Sequence, residues 1–420
     1  MVLSTVIFVL AYALIIIDRI DRVIVALSGG ILMALARLLS QENPFETVDF
    51  NTLGLLISMM IIVMITKRTG IFQFIAVKVV KIAKGEPWKI LVYLSLITAV
   101  CSALLDNVTT ILLILPITLD VCKQLKLKPI PIIISQIFAS NVGGTATLIG
   151  DPPNIMIGAS VGLSFMDFIV NVAPIILPMI FITTFIFVLI YKKYLFATEE
   201  DKKKVLAMDD QGLITDKVLL KKCLFVLTLT IIGFFLHGAL EYQSSVIAIT
   251  GAVLLLFISK VPAEQVFKEV EWKTIFFFAG LFMMVGGLEK AGVLKYLATT
   301  IVGATGDNML LLGLAILWVS AIASAFVDNI PFTATMIPLI KDVGALTGLT
   351  ITPLWWALSL GACLGGNGTI VGASANVVAS GMSEEAGHKI TFISYFKVCF
   401  PIMLLTIVIS TVYLVLRYLM

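Results

Sequence analysis

Charged side chains are scarce in this 420-residue chain. Asp, Glu, Lys and Arg make up 13% of the residues, and 60% of the residues are apolar. In a soluble domain about 25% of the residues are charged, so this shortage excludes an ordinary soluble fold. The net charge of +3 leaves no large basic surface for a nucleic acid. The partners we expect are a lipid bilayer and a small inorganic ion or small anion.

Histidine and cysteine are also rare. The two histidines and five cysteines form no CxxC pair or other spacing typical of metal ligands, so no structural metal site is predicted. The phosphate-binding pattern GxxxxGK[ST] is absent, which argues against ATP hydrolysis. Because no nucleophile–base pair stands out inside the apolar segments, we predict neither an enzyme nor an organic cofactor.

Long apolar segments fill most of the chain. Many are about 15 to 23 residues long, enough to cross roughly 30 Å of hydrocarbon. This pattern predicts an all-α, multi-pass integral membrane protein, in the plasma membrane of a prokaryote. The segments lie near 2–17, 23–39, 52–66, 88–122, 130–150 and 168–191, and then near 222–240, 244–260, 272–288, 308–341, 353–372 and 396–418.

The chain repeats its polar motifs after 222 residues. Two copies of a polar, glycine-rich pattern in a membrane chain indicate one site between two related halves. We therefore predict a first repeat at 1–191, a cytoplasmic linker at 192–221 and a second repeat at 222–420. The repeated pairs are Asp106 and Asp328, Asn107 and Asn329, Gly143 and Gly365, Gly144 and Gly366, Thr147 and Thr369, and Asn154 and Asn376.

Segment 88–122 is too long for a single crossing, at roughly 50 Å as a helix. Its polar break lies at Asp106 and Asn107, and segment 308–341 has the same break at Asp328 and Asn329. Each segment is either two full spans with a surface loop, or a re-entrant hairpin whose tip stops near the membrane centre. The sequence alone leaves both open, because an acidic tip is unremarkable at the surface and costly at depth.

The distribution of Lys and Arg predicts the orientation. With the N-terminus outside and each long segment returning to its starting side, most of the 29 Lys and Arg residues lie inside. This follows the positive-inside rule. Each half then has about five transmembrane helices plus one hairpin, and an odd number of crossings makes the second repeat inverted relative to the first.

Each half also contains a segment that cannot form one continuous helix. In the first, Gly143-Gly144 and Pro152-Pro153 interrupt the helical pattern within 130–162. The second, within 353–382, keeps Gly365-Gly366 but has Ala373-Ser374 where the first has Asp151-Pro152. At a helix break, backbone carbonyl groups without a helical partner can bind a cation. The N-terminus of the helix that follows the break favours an anion.

The candidate site combines these motifs. Asp106 and Asp328 lie among apolar residues, where a carboxylate needs a cation, a proton or hydroxyl donors. We predict that they carry the coupling ion, H⁺ or Na⁺, with Asn107 and Asn329 as further Na⁺ ligands. The other predicted ion- or substrate-binding residues are Thr109, Asn141, Gly143, Gly144, Thr147, Asp151, Asn154, Thr333, Gly365, Gly366, Asn367, Thr369 and Asn376.

At these residues the chain resembles the ion transporter superfamily, in the branch of the ArsB arsenite permeases and the melanocyte P protein. Residues 102–110 and 327–338 resemble the hairpin tips of that branch, and 141–154 and 361–376 resemble its broken helices. The resemblance implies re-entrant hairpins whose tips meet the helix breaks at mid-membrane. It also implies a scaffold part and a transport part in each half, and a homodimer.

The leading functional hypothesis is a secondary active transporter that couples H⁺ or Na⁺ to a small anion or oxyanion such as arsenite. A Na⁺/H⁺ antiporter is the first alternative, because antiporters of the superfamily carry a similar Leu-Asp-Asn tip. A passive anion channel and a dicarboxylate symporter are further alternatives. The sodium–dicarboxylate relatives carry Ser-Asn-Thr at the tips, where Asp106 and Asp328 would repel a dicarboxylate unless protonated.

Overall fold

A computed structural model describes residues 1–17, 20–206, 212–306 and 308–420, and these residues contain helices and no strands. The first half comprises α1 (Val2–Ile17), α2 (Arg22–Leu35), α3 (Phe50–Lys67), α4 (Ile71–Ile82), α5 (Pro87–Leu104), α6 (Asn107–Gln124), α7 (Ile130–Thr145), α8 (Pro152–Val161), α9 (Phe165–Asn171) and α10 (Ala173–Tyr191). Helix α11 (Glu199–Leu206) lies in the linker. The second half comprises α12 (Lys217–Leu236), α13 (Ser244–Ser259), α14 (Ala263–Phe267), α15 (Trp272–Lys290), α16 (Val293–Thr305), α17 (Met309–Phe326), α18 (Asn329–Thr347), α19 (Thr352–Gly365), α20 (Ser374–Glu385) and α21 (Phe392–Leu414).

The helices repeat with the spacing of the motifs. Helices α5 and α17 are both 18 residues long and begin 222 residues apart, and α6 and α18 both begin at the asparagine after the repeated aspartate. Helices α4 and α16 both follow a glycine in the left-handed conformation, at φ +77° for Gly70 and +75° for Gly292. Only glycine adopts this conformation without strain, so the repeat extends to the backbone between helices.

The two halves interlock, because helices of the first half pack on helices of the second. Helix α2 packs on α15 and α3 on α13, while α6 packs on α20 and α18 on α8. The α2–α15 contact is close: a Cβ placed at Gly280 would lie 2.5 Å from the carbonyl carbon of Ala26. Small residues allow such approach between membrane helices. The 222-residue repeat relates the α2–α15 contact to α3–α13, and the α6–α20 contact to α18–α8. The two halves are therefore arranged around a pseudo-twofold centre.

Seven helices in the described part of the chain are long and apolar enough to cross a membrane. Large apolar side chains project outward from them, as Phe181 and Phe185 do from α10. The all-α, multi-pass fold predicted from the sequence is therefore confirmed. The seven are Phe50–Lys67, Pro87–Leu104, Ala173–Tyr194, Lys217–Leu236, Trp272–Lys290, Met309–Phe326 and Phe392–Leu419, and the α8–α9 pair, bent by 116°, is a broken span or a re-entrant loop.

Both hairpin tips are buried inside the molecule. Asp106 and Asp328 are each 8% exposed, and Asn107 and Asn329 are 3% and 2% exposed. A surface loop between two full spans would leave these polar residues in water. The surface-loop alternative is therefore wrong, and α5–α6 and α17–α18 are hairpins whose tips turn inside the protein.

Candidate ion and substrate site

The predicted helix breaks lie beside the tips. Helix α7 ends at Thr145 and α8 begins at Pro152. In the second half α19 ends at Gly365, and two short 3₁₀ turns, Gly366–Gly368 and Ile370–Gly372, lead into α20. The paired prolines lack N–H donors and occupy the first positions of α8, where no helical N–H donor is needed, so they fix where the second helix begins. In the second half, the glycines from Gly365 to Gly372 disfavour a continuous helix.

Two of the repeated glycines pack helices together instead of opening the backbone. Gly143 lies inside α7 and Gly365 ends α19, where a Cβ at either would overlap the backbone of Ala99 or Ala321 on the neighbouring hairpin arm. Their helical position explains why their carbonyls do not line the cavities described below. Gly144 faces Gly150 across the first break, as Gly366 faces Gly372 across the second.

Four repeated side chains hold the breaks in shape. The amide of Asn154 donates to the carbonyls of Thr145 (3.0 Å) and Thr147 (2.9 Å), and that of Asn376 donates to Gly366 (2.7 Å) and Thr369 (2.9 Å). The Thr147 and Thr369 hydroxyls donate to Ala103 and Ala325 at the ends of the hairpin arms. These bonds satisfy freed carbonyls, a role that the motif alone did not separate from substrate binding.

Asn141 joins the two halves at their centre. Its Oδ1 accepts a hydrogen bond from Asn107 Nδ2 (3.0 Å) at the first tip. Its Nδ2 donates to Asn367 Oδ1 (3.0 Å) and Asn376 Oδ1 (2.8 Å) at the second break. All these side chains are buried. The predicted Asn141, Asn107, Asn367 and Asn376 therefore form one amide network that fixes the first tip against the opposite half.

An inner chamber of about 20 Å³ lies where both tips meet the first break. A site of this size admits roughly one water molecule or small ion. Three carboxyl groups line it, and no basic side chain of the described residues does. Its polar lining residues are Asp106, Asn107, Asp151, Glu271, Thr274, Asn329 and Ser374.

The carboxyl groups of this chamber differ in the hydrogen-bond donors that they contact. Asp106 caps α6, accepting from the backbone N–H (2.8 Å) and the hydroxyl of Thr109. Asp151 is fully buried and accepts from Asn329 Nδ2 (3.1 Å) through Oδ1. Its Oδ2 has no nitrogen or oxygen donor among the residues that the structure describes, and the thiol of Cys363, a weak donor, lies close to the carboxyl group. A buried carboxylate oxygen without a partner is costly, so this oxygen calls for a proton or a cation.

A larger outer cavity of about 320 Å³ adjoins the chamber and shares Thr274, Ile330 and Ser374 with it. Asp328 lines this cavity. Its Oδ2 lies 3.2 Å from Nη1 of Arg22 and accepts from the Ser374 hydroxyl (2.8 Å), while its Oδ1 accepts from the N–H of Ile330 (3.1 Å). Asp106 and Asp328 thus have different hydrogen-bond partners, since Asp106 lines the inner chamber and Asp328 lines the outer cavity.

The sequence contains the reason for this difference between the tips. Thr109, which supplies two donors to Asp106, corresponds to Pro331, which has neither an N–H nor a hydroxyl. Asp328 instead uses Arg22 and Ser374, whose counterparts are Ser244 and Pro152. Thr333, a predicted site residue, donates to the carbonyl of Asn329 (2.8 Å) within its own helix.

Arg22, Lys273, Glu271 and Thr274 were not predicted as site residues. They lie at the beginnings of α2 and α15, far in sequence from the motifs that they approach. One feature of the sequence could have indicated such residues. Pro331 replaces the equivalent of Thr109, so Asp328 needs another hydrogen-bond donor.

Comparison with known proteins shows the family to which the chain belongs. A family model described as Citrate transporter matches residues 12–361. The chain belongs to the citrate transporter family. An uncharacterized transporter of Mycobacterium tuberculosis is 41% identical over 425 residues, covering 99% of this chain and 98% of the relative. The 46 kDa membrane protein of Mycobacterium leprae is 39% identical, covering 100% and 99%.

The human P protein is a more distant relative of this chain. It is 32% identical over 500 residues, which cover 99% of this chain and 60% of the P protein. Among solved structures, the Alcanivorax borkumensis YdaH transporter superposes with a TM-score of 0.56 at 15% identity, covering 87% of this chain and 85% of that one. The predicted resemblance to the superfamily and its transporter fold is thereby confirmed.

Proposed function

We propose that this member of the citrate transporter family is a secondary active transporter that couples H⁺ or Na⁺ to the movement of a small anion or oxyanion, a class that includes arsenite. The inner chamber is the proposed cation site. The observation that carries the proposal is the unpartnered Oδ2 of Asp151 in a chamber with Asp106 and Glu271. A single proton or Na⁺ there would supply the missing partner and offset the repulsion between the carboxylates.

The second tip supports coupling, because its two residues contact different cavities. Asn329 donates to Asp151 in the inner chamber, and the adjacent Asp328 pairs with Arg22 in the outer cavity. A cation that changes the position of Asp151 would act on Asn329 and through it on the position of Asp328. Because one short segment contacts both sites, binding at either site would change the free energy of binding at the other. Cotransport requires this reciprocal coupling.

The lining of the outer cavity favours transport of an anion over a function in which no anion is transported. Arg22 and Lys273 line it beside Asp328 and Asp21, so the basic groups that an anion needs are present, and its volume accommodates a small organic or inorganic anion. A Na⁺/H⁺ antiporter remains the second candidate, since the inner chamber alone suits exchange of two small cations. The homodimer implied by the family resemblance stays a prediction.

Asp106→Asn tests the cation site. Asparagine caps a helix as well as aspartate does, so α6 should keep its hydrogen bond from Thr109. The lost charge should lower cation-driven transport in proteoliposomes by about 100-fold, equivalent to roughly 3 kcal/mol. Melting temperature, measured on the same preparation, should stay near the wild-type value.

Asp216→Asn is the matched control for this substitution. Asp216 caps α12 in the same way, accepting from Val218 and Leu219, but lies at an exposed helix end outside both cavities. Its transport rate should equal that of the wild type. Full cation-driven transport by Asp106→Asn would remove Asp106 from the proposed cation site.

A further inference from the structure

The linker helix α11 contacts both ends of the first hairpin, α5–α6. The Lys202 ammonium lies 2.8 Å from Oε1 of Glu86, the residue before α5. The Asp201 carboxylate lies 3.2 Å from Nζ of Lys126, the second residue after α6. Lys202 also contacts Glu199 in its own helix (2.7 Å), and its side chain is only 13% exposed. Two consecutive linker residues therefore join the arms of this hairpin at the end opposite its tip.

The linker is anchored a second time, on the turn between α3 and α4. The N–H of Thr215 donates to the carbonyl of Thr69 (3.0 Å), and the Thr215 hydroxyl donates to the carbonyl of Arg68 (2.8 Å). Gly70 permits this contact, because a Cβ there would overlap a backbone carbonyl of the linker. A Cβ at its counterpart Gly292 would meet open space in the described part of the chain. This close approach is therefore specific to the first half.

The first hairpin differs from the second at the two positions that the linker contacts. Lys126 has a left-handed backbone, at φ +53°, where its counterpart Gly348 has φ +68°. Glycine is favoured in this conformation after a helix, so a lysine there costs free energy. Glu86 makes no side-chain cap on α5, whereas its counterpart Asn308 caps α17 by accepting from the N–H of Leu311 (3.1 Å). Each charged residue thus replaces one that suits the local backbone better, and each pairs with the linker.

We propose that α11 is a strap that holds the first hairpin in its observed position, and that its ion pairs must open before this hairpin can move in a transport cycle. Helix α11 packs on α4 as well as on α6. The preceding helix α3 packs in turn on α12 and α13 of the other half. Movement of the hairpin relative to these helices would therefore pull on the linker contacts. This inference needs only that the chain is a transporter, and it holds for any coupling ion or substrate.

Ion pairs suit a strap that opens and closes. Pairs near the surface are individually weak and are screened by salt, so they open at little cost in free energy. The Lys126 and Glu199 side chains are 71% and 81% exposed, so water and salt reach both sides of the contact. The strap should therefore open more often at high ionic strength.

Amide hydrogen exchange of the purified full-length protein in detergent tests the strap without a substrate. Lys202→Met keeps an unbranched side chain but removes the charge, so both carboxylate contacts are lost. We expect exchange at the beginning of α5 and the end of α6 to become about two- to five-fold faster, the range for ion pairs of this kind. Raising the salt concentration from about 50 mM to about 500 mM should speed exchange in the wild type and have a smaller effect in the variant.

Two further variants provide a rescue and a control. Glu86→Lys combined with Lys202→Glu exchanges the charges of the pair and should return exchange at the hairpin toward the wild-type rate. Lys268→Met is the matched control, because Lys268 also lies 2.8 Å from a carboxylate, that of Glu264, but both are exposed on α14. Its exchange at the first hairpin should equal that of the wild type. A melting curve for each variant identifies any that fails to fold.

A disulfide between α11 and the hairpin tests whether the strap must open. A Cβ placed at Gly85 would lie 3.0 Å from Cβ of Lys202, so a small shift brings the pair Gly85→Cys and Lys202→Cys to the separation of a disulfide, roughly 3.8 Å. Oxidation with copper phenanthroline should slow exchange along α5 and α6. It should also lower flux in proteoliposomes by about ten-fold or more, and dithiothreitol should restore the flux. Each single-cysteine variant, treated alike, controls for the five native cysteines.

Two results would overturn the proposal. One is unchanged exchange at the first hairpin in Lys202→Met, and the other is wild-type flux in the oxidised double-cysteine protein. If the wild type shows no flux with any anion tested, the proposed coupling is wrong, and hydrogen exchange alone then decides the strap. Faster exchange in Lys202→Met and slower exchange in the oxidised protein would support it, and unchanged exchange in either would contradict it.

Discussion

Asp151→Asn should lower cation-driven transport by about 100-fold or more without lowering the melting temperature. The substitution keeps the oxygen that accepts from Asn329 and removes the charge of a fully buried carboxyl group whose other oxygen has no partner. The proposed cation site would then depend on a group that costs folding free energy when ionised. Initial rates in proteoliposomes and thermal unfolding of the purified protein provide the two readouts.

Asp120→Asn controls for the loss of a carboxylate elsewhere in the same half. Asp120 is exposed on α6, and its side chain accepts a hydrogen bond from Gln124 (3.2 Å). It should transport at the wild-type rate. A fully active Asp151→Asn protein, or one that melts well below the wild type, would show that Asp151 has a structural role and binds no coupling ion.

Asn141→Leu should cause the largest loss of stability among single substitutions at the centre. Leucine has the same branching and the same number of side-chain heavy atoms but leaves Asn107, Asn367 and Asn376 without their shared partner. Each buried polar group left unsatisfied costs about 1–3 kcal/mol, so the total loss is several kcal/mol. We expect a lower melting temperature and faster hydrogen exchange at the first hairpin tip.

Gln124→Leu, at the end of α6, provides the comparison for Asn141→Leu. It removes a side-chain amide whose partner is the exposed Asp120, so the melting temperature should change little. If Asn141→Leu melted at the wild-type temperature with a protected tip, the amide network would not hold the halves together.

The 222-residue repeat was sufficient to predict much of the fold and the composition of its centre. Aspartate and asparagine at one offset located the two tips, the family resemblance implied that the tips are buried, and the paired prolines predicted the first break. These features depend on neighbours close in sequence, where the properties of residue types determine the backbone. The cavity walls depend on contacts between segments far apart in sequence.

Arg22 shows why the remainder could not be predicted. It contacts Asp328 across 306 positions, from the start of a helix in the opposite half. A sequence pattern can indicate that Asp328 lacks the donors that Asp106 has, because Pro331 replaces Thr109, but it cannot identify the side chain that replaces them. Gly143 and Gly365 illustrate a second limit. Glycine is favoured both where helices pack closely and where the backbone opens, so the sequence does not distinguish these two roles.

The most direct measurement of the central claim follows both cations and the anion in the same vesicles. Purified wild-type protein is placed in liposomes with a pH-sensitive dye inside and labelled Na⁺ outside, with formate, citrate or arsenite either present or absent. We predict that H⁺ or Na⁺ enters only when one of the anions or arsenite is present. Exchange of Na⁺ for H⁺ without any of them, or anion flux that depends on neither cation, would contradict the account.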